Sequence, residues 1–113
     1  MRFLLVTKQV AAPPPEMALG LFDAMIAWVK KHTASKKLEQ GWGFAGLPAG
    51  GGILNVNSLE ELESIMSEFP MRPFASHEVF GLMDVQEHLQ LTKQAIQAMM
   101  PPKGKAPGPA RWK

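Results

Sequence analysis

The 113-residue chain contains no cysteine and no tyrosine. Without cysteine there is no disulfide frame, no thiolate nucleophile and no cysteine-based metal site. Long apolar runs are also missing: none approaches the roughly 20 residues that a membrane-spanning helix needs. The opening Phe3-Leu4-Leu5-Val6 run is too short for a secretory core, and no small-residue cleavage site follows it. The expectation is a cytoplasmic protein with no membrane partner. Acid is absent from the last thirteen residues, which hold Lys103, Lys105, Arg111 and Lys113. Those four supply the formal charge of +2, because the other eight basic residues face ten acids. The basic character belongs to a tail, and a nucleic-acid-binding core is not expected.

What is present is a moderately apolar chain, 46% hydrophobic, of a size suited to one domain. The expected organisation is a single α+β domain over 1–100, followed by a flexible basic Pro/Gly/Lys tail over 101–113. Arg2 to Gln9 reads as a strand that is apolar on both faces, so both faces need cover. Ala11 to Pro15 is a stiff link, and proline at its end suits a first helical turn. Ala18, Phe22, Met25, Ile26 and Val29 recur at helical spacing, which predicts a helix from Pro15 to His32, extending toward Leu38.

Gly41 to Leu47 and Gly51 to Asn57 are expected as two strands turning around Pro48-Ala49-Gly50, with Gly51 and Gly52 supplying positive φ. A hairpin this rich in glycine pairs weakly unless a ligand, a neighbouring subunit or Trp42 and Phe44 pack on it. Ser58-Leu59-Glu60-Glu61 is a capping box that opens a second helix, which Pro70 stops. Ser76 to Met83 reads as the last strand, and Asp84 caps a third helix. The order is βαββαβ with an added helix. The expected fold is α+β: a four-stranded antiparallel sheet with helices on one face, and a second subunit as the cover for the other.

Asn57-Ser58-Leu59-Glu60-Glu61-Leu62, then Glu68-Phe69-Pro70-Met71-Arg72-Pro73-Phe74 and His77-Glu78-Val79-Phe80-Gly81-Leu82, resemble the muconolactone isomerase family. That family belongs to the dimeric α+β barrel superfamily, which is ferredoxin-like, so the resemblance implies a ferredoxin-like α+β fold here. The likeness extends over roughly residues 1–84 in element order and is densest between Val56 and Leu82. It implies a homodimer or higher homo-oligomer, and a small organic ligand held near the sheet and the first helix. The hairpin departs from the family, whose own is rich in Trp, Arg, His and Tyr.

Among candidate residues, His32 extends the apolar face of the first helix, where an imidazole of near-neutral pKa can act as acid or base. A cation near a helix C-terminus is also favourable without any catalytic role. His77 opens the last strand on the face of Phe3 and Leu5, and the same residue could be a plain rim histidine. The expected function is cofactor-free proton transfer on a carbonyl or lactone compound by an isomerase- or lyase-like enzyme. His32 and His77 would be the acid and base, and Trp28, Trp42, Phe44, Met25 and Glu78 would contact substrate. Glu78 has a second reading as an interface residue, pointing away from the helices. No metal site is expected, because the three histidines are far apart in sequence, with no i,i+4 pair and no His-Glu motif on a helix. Two alternatives stand beside this reading. One is a non-catalytic ligand-binding or assembly protein; the other is a cofactor-free monooxygenase, or a haem-binding relative, in the same superfamily. Trp112, between Arg111 and Lys113, has a further reading as an anchor on a neighbouring subunit.

Overall fold

The structure is a computed structural model that describes residues 1–100. The expectations for the tail, Trp112 included, lie outside the described residues. The described residues fall into two compact units, Met1–Leu82 and a second that runs from Met83 to Met100.

In the first unit the strands β1 (Arg2–Gln9), β2 (Leu38–Gly43), β3 (Ala49–Asn55) and β4 (Ala75–Leu82) form one antiparallel sheet in the order β2-β3-β1-β4. Helices α1 (Pro15–Ala34) and α2 (Leu59–Ser67) pack on one of its faces. Pro15 occupies the first turn of α1, where its missing N–H costs nothing. The helix ends at Ala34, short of Leu38, because Lys36 adopts a left-handed backbone (φ 62°) that reverses the chain into β2. Ser58 caps α2 by accepting from the Glu61 N–H, and the Glu61 carboxylate accepts from the Asn57 N–H and from Lys37.

The core forms between sheet and helices. Leu5, Leu38, Leu54 and Val56 meet Trp28, Ile65, Met66, Phe69 and Met71 there. The indole Nε1–H of Trp28 donates to the Ile65 carbonyl (3.2 Å), tying α1 to α2 through a buried contact.

The hairpin differs from its expected form in two ways. Its turn falls at Phe44–Pro48, and the glycine with positive φ is Gly46 (φ 80°), not Gly51 or Gly52. Both strands therefore begin two or three residues earlier than expected. There is also a bulge: Leu38 pairs with Leu54 but Gln40 pairs with Ile53, so Glu39 is an extra residue in β2. One extra residue inverts the alternation that follows it. Leu38 points into the core, and beyond the bulge Gly41 and Gly43 share the helix-facing side with Gly52 and Gly50, while Trp42 goes to the opposite side with Gly51.

The second unit contains α3 (Val85–Met99). It opens with Asp84, whose carboxylate accepts from the Glu87 N–H. No helix among the described residues is long and apolar enough to cross a membrane.

Candidate functional site

The bulge and the glycines leave a space between α1 and the sheet. Its volume is about 680 Å³, within the roughly 300–1,000 Å³ range of small-molecule sites. Phe22, Met25, Trp28 and Val29 of α1 form its roof, and Leu5, Leu38 and Phe69 its inner end. The floor is the helix-facing side of β2 and β3, where Gly41 opposes Gly52 and Gly43 opposes Gly50. Thr7, beside Gly50 in the register of β1 and β3, brings a hydroxyl to the wall.

Polar side chains at the wall are few: Thr7, Gln9, Thr33, Glu39 and Gln40. Among the described residues Glu39 is the one acid in the lining. Its carboxylate is held by Arg2 through two hydrogen bonds, at 2.7 and 3.2 Å, which keep it below the usual carboxylate range. Glu39 is therefore committed to an ion pair at the surface.

The two histidines lie behind this wall rather than in it. His77 pairs with Thr7 across β1 and β4, and its Nδ1 lies 2.6 Å from the Thr7 hydroxyl. Its Nε2 is buried without a hydrogen-bond partner among the described residues. Burial, with a smaller contribution from the nearby Arg72 charge, holds the imidazole pKa below its ordinary value. His32 is 5% exposed. Burial lowers its pKa too, and Glu68, 3.6 Å from Nε2, offsets this only in part. The carboxylate of Glu68 is engaged mainly by Lys31 at 2.8 Å.

The expected convergence of His32 and His77 is not what the structure shows. A row of edge-on aromatic contacts runs from His32 to Trp28 (4.9 Å), from Trp28 to Phe69 (5.1 Å) and from Phe69 to His77 (5.0 Å). Two rings thus stand between the imidazoles, and neither histidine lines the cavity. Trp28 and Met25 do line it. Trp42 borders it, yet the bulge turns its side chain to the far face of the sheet. Phe44 is absent from the lining and lies over Gly51 on that far face: a Cβ built on Gly51 would meet its ring at 3.6 Å. Glu78 pairs with Val6, so it also faces away from the helices and is exposed. Thr7 was not among the residues singled out from sequence. The signal that could have found it is the shared strand position opposite His77, which needs the strand register.

The far face carries Leu4, Val6, Ile53, Phe80 and Leu82 alongside Trp42, with Phe80, Leu82 and Trp42 nearly half exposed. Among the described residues, no cluster of three histidine or acidic side chains is placed to hold a metal ion.

Strand order, antiparallel pairing and the one-sided helix layer define a ferredoxin-like α+β fold. Among solved structures the chain is similar to muconolactone isomerase, at 24% identity and a TM-score of 0.68, covering 74% of this chain and 90% of that one. It is also similar to 5-chloro-2-hydroxyhydroquinone dehydrochlorinase from Burkholderia phenoliruptrix AC1100 in complex with 2,5-dihydroxybenzoquinone. There the identity is 19% and the TM-score 0.56, covering 77% of this chain and 98% of that one. No protein-family model and no curated protein matches the sequence.

Proposed function

We propose that this protein is a small-molecule enzyme of the isomerase or lyase type, moving a proton on a carbonyl or lactone compound held between α1 and the sheet. The observation that carries this reading is the Thr7–His77 pair, a hydroxyl in the wall of an apolar cavity bonded to a buried imidazole. In this reading Thr7 is the group that meets substrate. Its O–H donates to the substrate's carbonyl oxygen while Nδ1–H of His77 donates to Thr7, so charge that builds on the oxygen as an α-proton leaves is met by a polarised donor. Water at the cavity mouth takes the α-proton and returns a proton to the α- or the γ-carbon, which discharges the enolate and lets the double bond shift. Trp28 and Met25 hold the apolar body of the substrate, and His32 packs against the back of Trp28 without reaching the substrate.

Supporting the class of chemistry is the fold shared with a lactone isomerase and a dehydrochlorinase. A second copy of the chain is the natural cover for the apolar far face, with Trp42, Phe44 and Glu78 at that interface. Deuterium uptake from D2O at the α-carbon of muconolactone and of related butenolides, followed by NMR, tests the activity. Thr7→Val and His77→Asn should each lower the rate by at least roughly a hundredfold, whereas His32→Asn should stay within a few-fold. Equal rates in Thr7→Val and the parent protein would remove the pair from the mechanism.

A second reading, a binding protein without turnover, is favoured by one observation: Glu39, the one acid in the lining among the described residues, is occupied by Arg2. Saturable binding of a lactone with no deuterium uptake above the solvent rate would decide for it.

A further inference from the structure

The four floor glycines differ in what the backbone demands of them. A Cβ added to Gly50 would lie 2.6 Å from the Trp42 carbonyl oxygen, and one on Gly52 would lie 2.6 Å from that of Gln40. Those two positions are glycine because the neighbouring strand leaves no room. Gly43 is unlike them: a Cβ there meets nothing within 4 Å, and on Gly41 it makes only ordinary contacts, at 3.7 Å and beyond. Neither has a positive φ. The fold would accept a side chain at 41 and 43, and what their glycines provide is open volume above a bare sheet.

The open area has a shape. Paired strands lie about 4.8 Å apart and residues two positions along a strand about 6.7 Å apart. Two opposed glycine pairs therefore expose a flat patch of peptide groups about one aromatic ring across, and the cavity continues past it under α1. The roof above is a phenyl ring, a thioether and an indole, from Phe22, Met25 and Trp28. A bare peptide floor and an aromatic roof favour a flat π-faced ligand over a puckered one, since a flat ring meets both surfaces over its whole area. A volume of 680 Å³ also exceeds what a single ring fills.

Resting on the cavity being the ligand site, we propose that it takes a planar fused-ring compound of two or three rings. The compound lies flat on Gly41, Gly43, Gly50 and Gly52 and directs one oxygen to Thr7. The glycine-rich hairpin is the device that widens the site from one ring to several.

Isothermal titration with 2-naphthol, its saturated counterpart decahydro-2-naphthol, phenol and muconolactone tests this. The expected result is that 2-naphthol binds at least tenfold more tightly than both the saturated alcohol and phenol. Gly43→Leu should weaken 2-naphthol at least tenfold. Gly43→Ala should weaken it less while keeping the circular dichroism spectrum and melting cooperativity of the parent, so that loss of binding is not loss of fold. Equal affinity for the flat and saturated compounds would overturn the proposal, as would unchanged 2-naphthol binding in both Gly43 variants. If muconolactone binds while 2-naphthol does not, the fused-ring proposal fails and the proposed function stands. If neither binds, both fail.

Discussion

A single methyl group added at two glycines of the same cavity floor is expected to change stability in opposite directions. At Gly43 the new Cβ enters open space, and glycine's extra freedom in the unfolded chain is removed. Gly43→Ala should therefore stabilise the first unit by about 0.4–1 kcal/mol. At Gly52 the new Cβ lies 2.6 Å from the Gln40 carbonyl oxygen and 2.8 Å from Leu38 Cδ1. The leucine can rotate, but the carbonyl is backbone of the paired strand, so β2 and β3 must part locally and weaken the ladder. Overpacking of this kind costs about 1–3 kcal/mol, against a total stability of about 5–15 kcal/mol for an ordinary domain. The two variants should differ by at least about 1.4 kcal/mol when these two contributions are combined. Urea unfolding followed by far-ultraviolet circular dichroism reads the difference directly, since with slopes of about 1–3 kcal/mol per molar it separates the midpoints by roughly half a molar or more. Equal midpoints would refute the close-approach reasoning. A Gly43→Ala variant less stable than the parent would refute the open floor.

Two further outcomes follow from the buried groups. Burial holds both His32 and His77 below the ordinary value of 6.5, so the unfolded chain takes up protons before the folded one does. Their contribution is complete above about pH 6.5 and is lost as pH falls from there through the depressed folded values. Glu39, Glu61 and Glu68 are lowered from 4.5 and act only at more acid pH. The urea midpoint should therefore fall between pH 7.5 and 5.5, and less so in a His32→Gln, His77→Gln double variant; a pH-independent parent midpoint would contradict this. Trp28→Phe keeps the ring packing but leaves the buried Ile65 carbonyl without its donor. It should lower stability by about 1–3 kcal/mol, measured by the same unfolding assay, and an unchanged midpoint would count against that hydrogen bond.

Element order and the helix caps were legible because they rest on local signals. Ser58 with Glu61, Asp84 with Glu87, and proline entering α1 each satisfy groups within a few residues. The face assignment of β1 and β4 was legible as well, since period-two alternation over eight residues is unbroken there. The hairpin was not. Its turn could sit at any of several glycines, and the bulge at Glu39 follows from pairing with β3 rather than from anything in β2 itself. That one inserted residue carried Trp42 out of the expected site and brought Gly41 and Gly43 into it. For the same reason Thr7 became visible as a candidate only once β1 and β4 were in register. The place of His32 on the apolar side of α1 was legible in the helical spacing, but not that Trp28 and Phe69 would stand between it and His77.

The site between α1 and the glycine floor is tested most directly by intermolecular nuclear Overhauser effects from a bound planar probe, 2-naphthol. Its ring protons should show contacts to the Met25 methyl group, the Trp28 indole and the α-protons of Gly43 and Gly52. Contacts confined to the methyl groups of Leu4, Val6 and Ile53 would put the ligand on the opposite face of the sheet and contradict the account.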